Sequence, residues 1–505
     1  MEVLLAIAIL SGAALLAYVV GRLSRSRMLT GFIAFVAIAG SGYMVYQIWN
    51  VLQDGMPLGW PSAWAQTRLQ SYLVANYLGI FLAGTALLLA ALVAVYSMRY
   101  MHRRDIGKFY ALLLLMTSGI VGVGFAGDLF TLYVLFEAMS IASFVLVAFE
   151  REEWEPIEAG VKYLVISTVG SLLALLGISI VFSWTGTLDL AALPSLLEAQ
   201  VGSAQLMAVV ALIIVGFGVK AAIVPMHTWL PDAHSAAPSG ISAMLSGIVI
   251  EAGLITMLRA LIALGTVNYG LLLVWLALVT MFVGNLIALR QSDLKRMFAY
   301  SSVAQMGYII MGVGLALGYP TLAGFSGMRG ALYHILNHAV MKGGAFLCAG
   351  AFLWILGTRD IRKLSGIGRK FPLMGICFLI FVLALAGAPP FNGWFSKVLI
   401  AKAGADVGGW GIFMVVMLVL NSVISLFYYL DALNTVVFGP IPEDRPRTLK
   451  PLPFLVVLPI VALAALSLLL GVLPDAGLVL VDPAAEYVAS LIGGGVDVLV
   501  AAGVH

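Results

Sequence analysis

Apolar runs of about twenty residues, the length that crosses a hydrocarbon core as a helix, recur along the whole chain. They fall near 2–20, 29–51, 73–97, 109–126, 129–149, 163–184, 205–224, 241–264, 270–289, 298–318, 330–356, 373–400, 409–438 and 452–473. The ten-residue alternation of a membrane barrel is absent. The pattern therefore predicts an all-α polytopic membrane protein with about fourteen spans. Its start, "MEVLLAIAILSGAALLAYVVGRLSRSR", carries its arginines after the apolar stretch and none before it, the reverse of a secretory signal, and reads as the first span.

Two runs are interrupted by proline. Span 7 leads into "VPMHTWLPDAHSAAPSG" and span 12 contains "AGAPPFNGWFSK". Proline removes a backbone donor and clashes one turn back, so helices 7 and 12 should break. Broken helices at bilayer depth persist only where protein or a water-filled cavity satisfies the freed backbone groups, and paired breaks point to a repeat around an ion path. The breaks lie five spans apart. We therefore divide the chain into an N-terminal three-helix segment (1–108), a five-helix repeat (109–264), a second five-helix repeat (265–438), and a last helix with its tail (439–505).

Lysine and arginine counts predict the orientation. The connections after spans 1, 3, 9, 11 and 13 carry Arg22, Arg25 and Arg27; Arg99, Arg103, Arg104 and Lys108; Arg290, Lys295 and Arg296; Arg359, Arg362, Lys363, Arg369 and Lys370; and Arg445, Arg447 and Lys450. Even-numbered connections offer little more than Arg68, Arg329 and Lys402. The odd connections should be cytoplasmic and both termini should lie outside.

Charges inside the spans need an explanation, because an ionised side chain at mid-bilayer costs about 2.5 to 3.5 kcal/mol on insertion scales. Seven titratable residues qualify: Glu137, Lys220, Glu251, His334, His338, Lys342 and Lys397. Lys220 and Lys397 adjoin the two breaks. In "YHILNHAVMK", His334, His338 and Lys342 stand four apart, so they share one helix face over about 12 Å. Structural glue between helices does not need three protonatable groups in register, so a proton path is the functional reading. For Glu137 and Lys220 the bland alternative is a buried structural pair. Burial disfavours the charged form of each and proximity favours it, which makes such a pair titratable. Glu251, in "LSGIVIEAGL", is expected either to stay protonated or to pair with Lys220 or the histidine ladder. Ser301, Gln305 and Tyr308 line one face of span 10, where water binding and simple helix packing both remain open.

Composition narrows the remaining functions. The chain of 505 residues is 62% hydrophobic and 10% charged, with a mean hydropathy of +1.06, far from the roughly 25% charge of soluble domains. Its net charge of +3 comes without a basic stripe, so nucleic acid is not an expected partner. Two cysteines, Cys348 and Cys377, offer neither a disulfide framework nor an iron–sulfur ligand set. His227, Asp232 and His234 have poor metal-ligand spacing, so no metal, cofactor or covalent chemistry is expected.

Four ordered stretches, "VKAAIVPMHTWLPDAHSAAPSGISAMLSG", "DLKRMFAYSSVAQMGYI", "NHAVMKGGAFLCAG" and "GAPPFNGWFSK", together with Glu137 in "GDLFTLYVLFEAMS", resemble the antiporter-like subunits of the respiratory complex I superfamily. That superfamily includes pumping subunits of NADH:quinone oxidoreductase, D-type subunits of Mrp antiporters and matching subunits of membrane-bound hydrogenase-type complexes. The resemblance implies fourteen spans, two inverted five-helix repeats and broken helices 7 and 12. It implies that Glu137 and Lys220 form a glutamate–lysine pair, that His334, His338 and Lys342 belong to a central polar axis, and that Lys397 is the terminal lysine. Glu251 departs from the pattern, standing where relatives commonly carry lysine.

The expected function is ion translocation, with protons ahead of sodium, along Glu137, Lys220, Glu251, His334, His338, Lys342 and Lys397. The expected partners are other membrane subunits and the bilayer of a prokaryotic cell. A stand-alone secondary transporter of a small solute, or a structural relative that conducts nothing, are the competing readings.

Overall fold

The computed structural model describes all residues except 55–58, 61–71, 102–104, 201–202, 266–268, 443–448 and 494–505. Arg68, Arg103, Arg104, Arg445 and Arg447, which entered the orientation count, and the tail beyond Gly493 lie outside the described residues.

The described chain is helical apart from two paired two-residue strands, β1 (Gly59–Trp60) and β2 (Leu73–Val74). In chain order the helices of the first half are α1 (Glu2–Ser24), α2 (Arg27–Gln53), α3 (Tyr77–Tyr100), α4 (Ile106–Phe125), α5 (Leu129–Val147), α6 (Trp154–Thr185), α7 (Leu193–Gln200), α8 (Ser203–Lys220), α9 (Trp229–Ala236), α10 (Ser239–Met244) and α11 (Ile250–Ala263). The second half comprises α12 (Gly270–Ala288), α13 (Leu294–Gly318), α14 (Pro320–Leu356), α15 (Ile367–Lys370), α16 (Pro372–Ala386), α17 (Asn392–Val407), α18 (Gly409–Leu433), α19 (Phe454–Val472) and α20 (Asp475–Ile492). Side-chain caps mark several starts: Ser26, Asn76, Asp128 and Asp293 each accept a hydrogen bond from a backbone N–H in the first turn of their helix.

Among the described residues, twelve helices are long and apolar enough to cross a membrane, and thirteen if the bent pair Arg362–Lys370 and Pro372–Ala386 counts as one. The expected fourteen is therefore not reached by length. The runs that fall short are the two that proline interrupts. The apolar helix ending at Lys220 is short, and the chain continues through a 3-10 turn (Met226–Thr228) into α9. Span 12 divides into α16 and α17 around Pro389 and Pro390. The turn that ends α8 also holds Ala222 in the left-handed region, at φ 55°, a conformation that costs a non-glycine residue about 1 to 2 kcal/mol.

Burial sorts the helices into a centre and a rim. The apolar window of α10–α11 is 100% buried and that of α13 94%, whereas those of α1 and α18 are each 28% buried and lie mostly on the outside of the bundle. Helices α12 and α13 approach closely where glycine permits it: a Cβ added at Gly270 would lie 2.1 Å from the backbone nitrogen of Gly318. The C-terminal helix α20 packs on α14 and α3. There Arg329 clamps Asp482 through two hydrogen bonds of 2.7 and 2.9 Å.

Candidate functional site: a buried polar line between two helix breaks

Lys220 is the last residue of α8, and its side chain is buried. Its amine donates to the Tyr163 hydroxyl at 2.7 Å and, at 3.5 Å, to Ser143 Oγ. Four aromatic rings surround it: Phe144 and Tyr163 at 4.7 and 4.5 Å from their centroids, Phe136 and Trp229 at 5.8 and 6.0 Å. Tyr163 and Trp229 stack at 3.8 Å, and the Trp229 indole N–H is fixed to the Val219 carbonyl at 2.8 Å. This cage stabilises a cation by ring quadrupoles and one strong acceptor, without a carboxylate in contact among the described residues.

Here the structure differs from the implied Glu137–Lys220 pair. No ion pair within 4.0 Å joins them among the described residues. Glu137, half-buried on α5, faces Ser171 and reaches Lys220 only as a charge at longer range. The Tyr163 and Ser143 oxygens occupy the space nearest the amine.

Glu251 sits two residues beyond a π-helical stretch (Leu245–Val249) and has no solvent exposure. Its Oε1 meets His338 Nδ1 in a short contact between two fully buried groups. Glu251 Oε2 and His338 Nε2 have no hydrogen-bond partner among the described residues. Two residues beyond Glu251, Gly253 packs on the stem of Lys220, where an added Cβ would lie 2.8 Å from Lys220 Cγ. The Glu251 region thus borders Lys220 on one side and the α14 histidines on the other.

From His338 the line continues along α14. The His334 and His338 rings lie 6.3 Å apart and nearly parallel, at 16°. His334 is held at both nitrogens, by Ser396 Oγ at 2.7 Å and by Gln305 Oε1 at 2.9 Å. Gln305 donates in turn to the Leu385 carbonyl, which with the Ala386 carbonyl also accepts from the Lys397 amine at 3.3 and 3.2 Å. Those two carbonyls end α16 at the second break, where a helix terminus presents unpaired acceptors and negative dipole charge to a cation. Tyr308 lies below Lys397, its ring centroid 4.6 Å from the amine. Lys342, one turn beyond His338 on α14, turns towards α13, donating to the Phe298 carbonyl at 2.8 Å and contacting Ser301 Oγ.

Of the seven expected residues, six are buried and Glu137 is half-buried. Glu251, His338 and His334 stand in one series, with Lys220 and Lys397 at the two helix breaks. Sequence reasoning missed Tyr163, Ser143 and Trp229, which build the Lys220 cage, and Ser396, which holds His334. It also missed Lys295, buried with its amine on the Ala237 carbonyl at 2.5 Å. Lys295 borders a cavity of about 520 Å³ lined by Glu150, Glu153, Glu155, Asp293 and Arg359, at the end of the bundle that carries odd-numbered connections. Arg359 straps that end, bonding Glu155 and Asp293 at 2.9 Å each and the Ser235 carbonyl at 2.6 Å. Asp232 pairs with Arg296 and Lys162 at 2.9 and 3.2 Å, whereas His234 is fully buried with neither ring nitrogen bonded among the described residues.

A helical bundle of bilayer-length apolar spans with such a series of buried carboxyl, imidazole and amine groups defines a multi-pass membrane protein of the ion-conducting class. The comparisons specify it further. Residues 126–425 match the family described as "NADH:quinone oxidoreductase/Mrp antiporter, TM", and the chain belongs to that family. It is 34% identical over 436 residues to NADH-quinone oxidoreductase subunit N of Desulforudis audaxviator, covering 84% of each chain. It is 35% identical to F(420)H(2) dehydrogenase subunit N of Methanosarcina mazei, covering 77% of this chain and 79% of that one. Among solved structures it superimposes on a chain of the membrane-bound sulfane sulfur reductase, an archaeal respiratory membrane complex, with a TM-score of 0.85 and 28% identity over 99% of this chain and 100% of that one. Such neighbours are subunits of multisubunit membrane assemblies.

Proposed function

We propose that this chain is the proton-translocating, antiporter-like subunit of a multisubunit assembly related to complex I, seated in a prokaryotic plasma membrane with both termini outside. The observation that carries the reading is the buried series linking the two helix breaks: the Lys220 cage, Glu251 against His338, His338 over His334, and His334 bonded to the partners of Lys397. Each member can gain or lose a proton, and burial makes each charge depend on its neighbours. A charge that appears near one group therefore changes the proton affinity of the next. Glu137, at longer range, biases Lys220 and does not bind it. Lys342 is a side station joined to Ser301.

The chemistry of the line favours the proton over sodium. Sodium requires a shell of oxygen ligands, as hard cations do, whereas the line is built largely of amines and imidazoles, which carry protons and repel a metal cation when charged. The relatives named for NADH and F(420)H(2) oxidation favour a host assembly driven by redox chemistry in another chain. Moving one charge through 100 mV takes about 2.3 kcal/mol, equivalent to fewer than two pKa units at one site. The breaks at Lys220 and Lys397 mark corresponding places in two five-helix repeats, 109–264 and 265–438.

The test is Lys220→Ala in the intact assembly, reconstituted in liposomes with internal pH followed by a dye. Proton uptake should be lost while the subunit remains assembled. Undiminished uptake would remove Lys220 from the path.

A further inference from the structure

A second set of buried polar groups lies on α18 and is used by nothing described above. Asn421, Ser425 and Tyr428 follow i, i+4, i+7, with Ser422 and Tyr429 beside them, so they share the face of α18 that meets α12 and α13. The Tyr428 hydroxyl donates to Asn285 Oδ1 at 3.0 Å, and Asn285 donates to Asn421 Oδ1 at 3.1 Å. Ser422 Oγ lies 3.4 Å from the Tyr308 hydroxyl. Tyr429 is fully buried, yet its hydroxyl makes no hydrogen bond within normal geometry among the described residues. It faces Ser301, Gln305 and Tyr428. A buried hydroxyl without a partner, surrounded by three polar groups, has the surroundings that hold an ordered water.

The ends of this cluster are the two lysines of the second half. Ser301 is the residue that the Lys342 amine contacts, and Tyr308 is the ring beneath the Lys397 amine. Tyr308 in turn interacts with Tyr428 and Tyr429. We propose that the hydroxyls of Ser301, Tyr429, Tyr428 and Tyr308, with water held at Tyr429, form a second proton route from Lys342 to Lys397, parallel to the His338–His334 route. The inference rests on the proton-path reading above.

The step balances without a charged intermediate left behind. The Ser301 hydroxyl, which rests on the Phe298 carbonyl at 2.8 Å, turns to the next oxygen, and the Lys342 ammonium gives its proton to Ser301 Oγ as Ser301 releases its own. Each hydroxyl accepts at a lone pair and donates its hydrogen onward, and the last proton settles on a neutral Lys397 amine. The net change is one neutral Lys342 and one ammonium at Lys397. Each hydroxyl must then reorient before the next passage.

Two routes in parallel make a specific prediction. Tyr429→Phe removes one unbonded oxygen, so assembly should be unaffected, and His338→Gln interrupts the histidine route. In the intact reconstituted assembly each single variant should lower proton uptake by about two-fold, and the double variant should lose more than the product of the single effects, approaching the background set by Lys220→Ala. Tyr428→Phe in place of Tyr429→Phe should behave alike. A double variant no worse than the weaker single, or complete loss in Tyr429→Phe alone, would overturn the parallel route. Full uptake in Lys220→Ala would instead overturn the underlying proton-path reading, whereas full uptake in Lys342→Ala would overturn the parallel route alone, so the two failures are distinguishable. The amount of subunit recovered in the purified assembly reports folding for each variant.

Discussion

Glu251→Gln separates proton carriage from packing more cleanly than other single changes. Glutamine matches the carboxylate in shape and can still bond His338 Nδ1, but it cannot take up or release a proton. Glu251 and His338 are both without solvent exposure, and among the described residues nothing bonds Glu251 Oε2 or His338 Nε2. A hydrogen bond to a charged group contributes about 1.5 to 3 kcal/mol and an ordinary one about 0.5 to 1.5, so the exchange should cost the fold only about 1 kcal/mol. Loss of a positioned proton carrier costs about 10² to 10⁴ in rate. The expected result is therefore a subunit that assembles with nearly parental thermal stability and moves protons at least about a hundred-fold more slowly. The assay is dye-reported proton uptake by the reconstituted assembly, paired with a thermal unfolding curve of the same preparation. Parental uptake with parental stability would show that the Glu251–His338 contact is packing alone.

Other variants test separate parts of the structure. Tyr163→Phe deletes the 2.7 Å bond to Lys220 and leaves a buried amine short of an acceptor; we expect a loss of about 1 to 3 kcal/mol in unfolding free energy together with reduced proton uptake. Arg329→Ala opens the α14–α20 clamp, which is about one-third exposed on both sides; a destabilisation of about 1 kcal/mol or less is expected, read by thermal unfolding, with uptake retained. Gly270→Ala would place a Cβ 2.1 Å from the Gly318 nitrogen; forcing α12 from α13 should cost about 1 to 3 kcal/mol and lower the amount of assembled subunit on a blue native gel.

The sequence displayed its spans plainly because lipid demands long apolar helices, and both interruptions were visible as proline in otherwise continuous runs. Lys220 and Lys397 stood out for the same reason, as charges in the wrong solvent. What the sequence could not display is which groups meet across helices. The register of α14 places His334, His338 and Lys342 on one face, yet Lys342 turns to Ser301 on α13 while His338 turns to Glu251. Nothing local distinguishes those choices. The same holds for Tyr163, an aromatic residue in a greasy helix that became the main hydrogen-bond partner of Lys220. The polar face of α18 did carry a signal, the spacing of Asn421, Ser425 and Tyr428. It was hidden because no member is charged. The helical tail around Asp482 became legible only through the Arg329 clamp.

The central claim is that the two helix breaks are ends of one connected proton path. It is tested most directly by cutting the path at each end in the intact, liposome-reconstituted assembly and measuring protons moved per turnover. The account predicts that Lys220→Ala and Lys397→Ala each reduce transport to the same background, and that the double variant falls no lower. Parental transport in Lys397→Ala beside a complete loss in Lys220→Ala would contradict it.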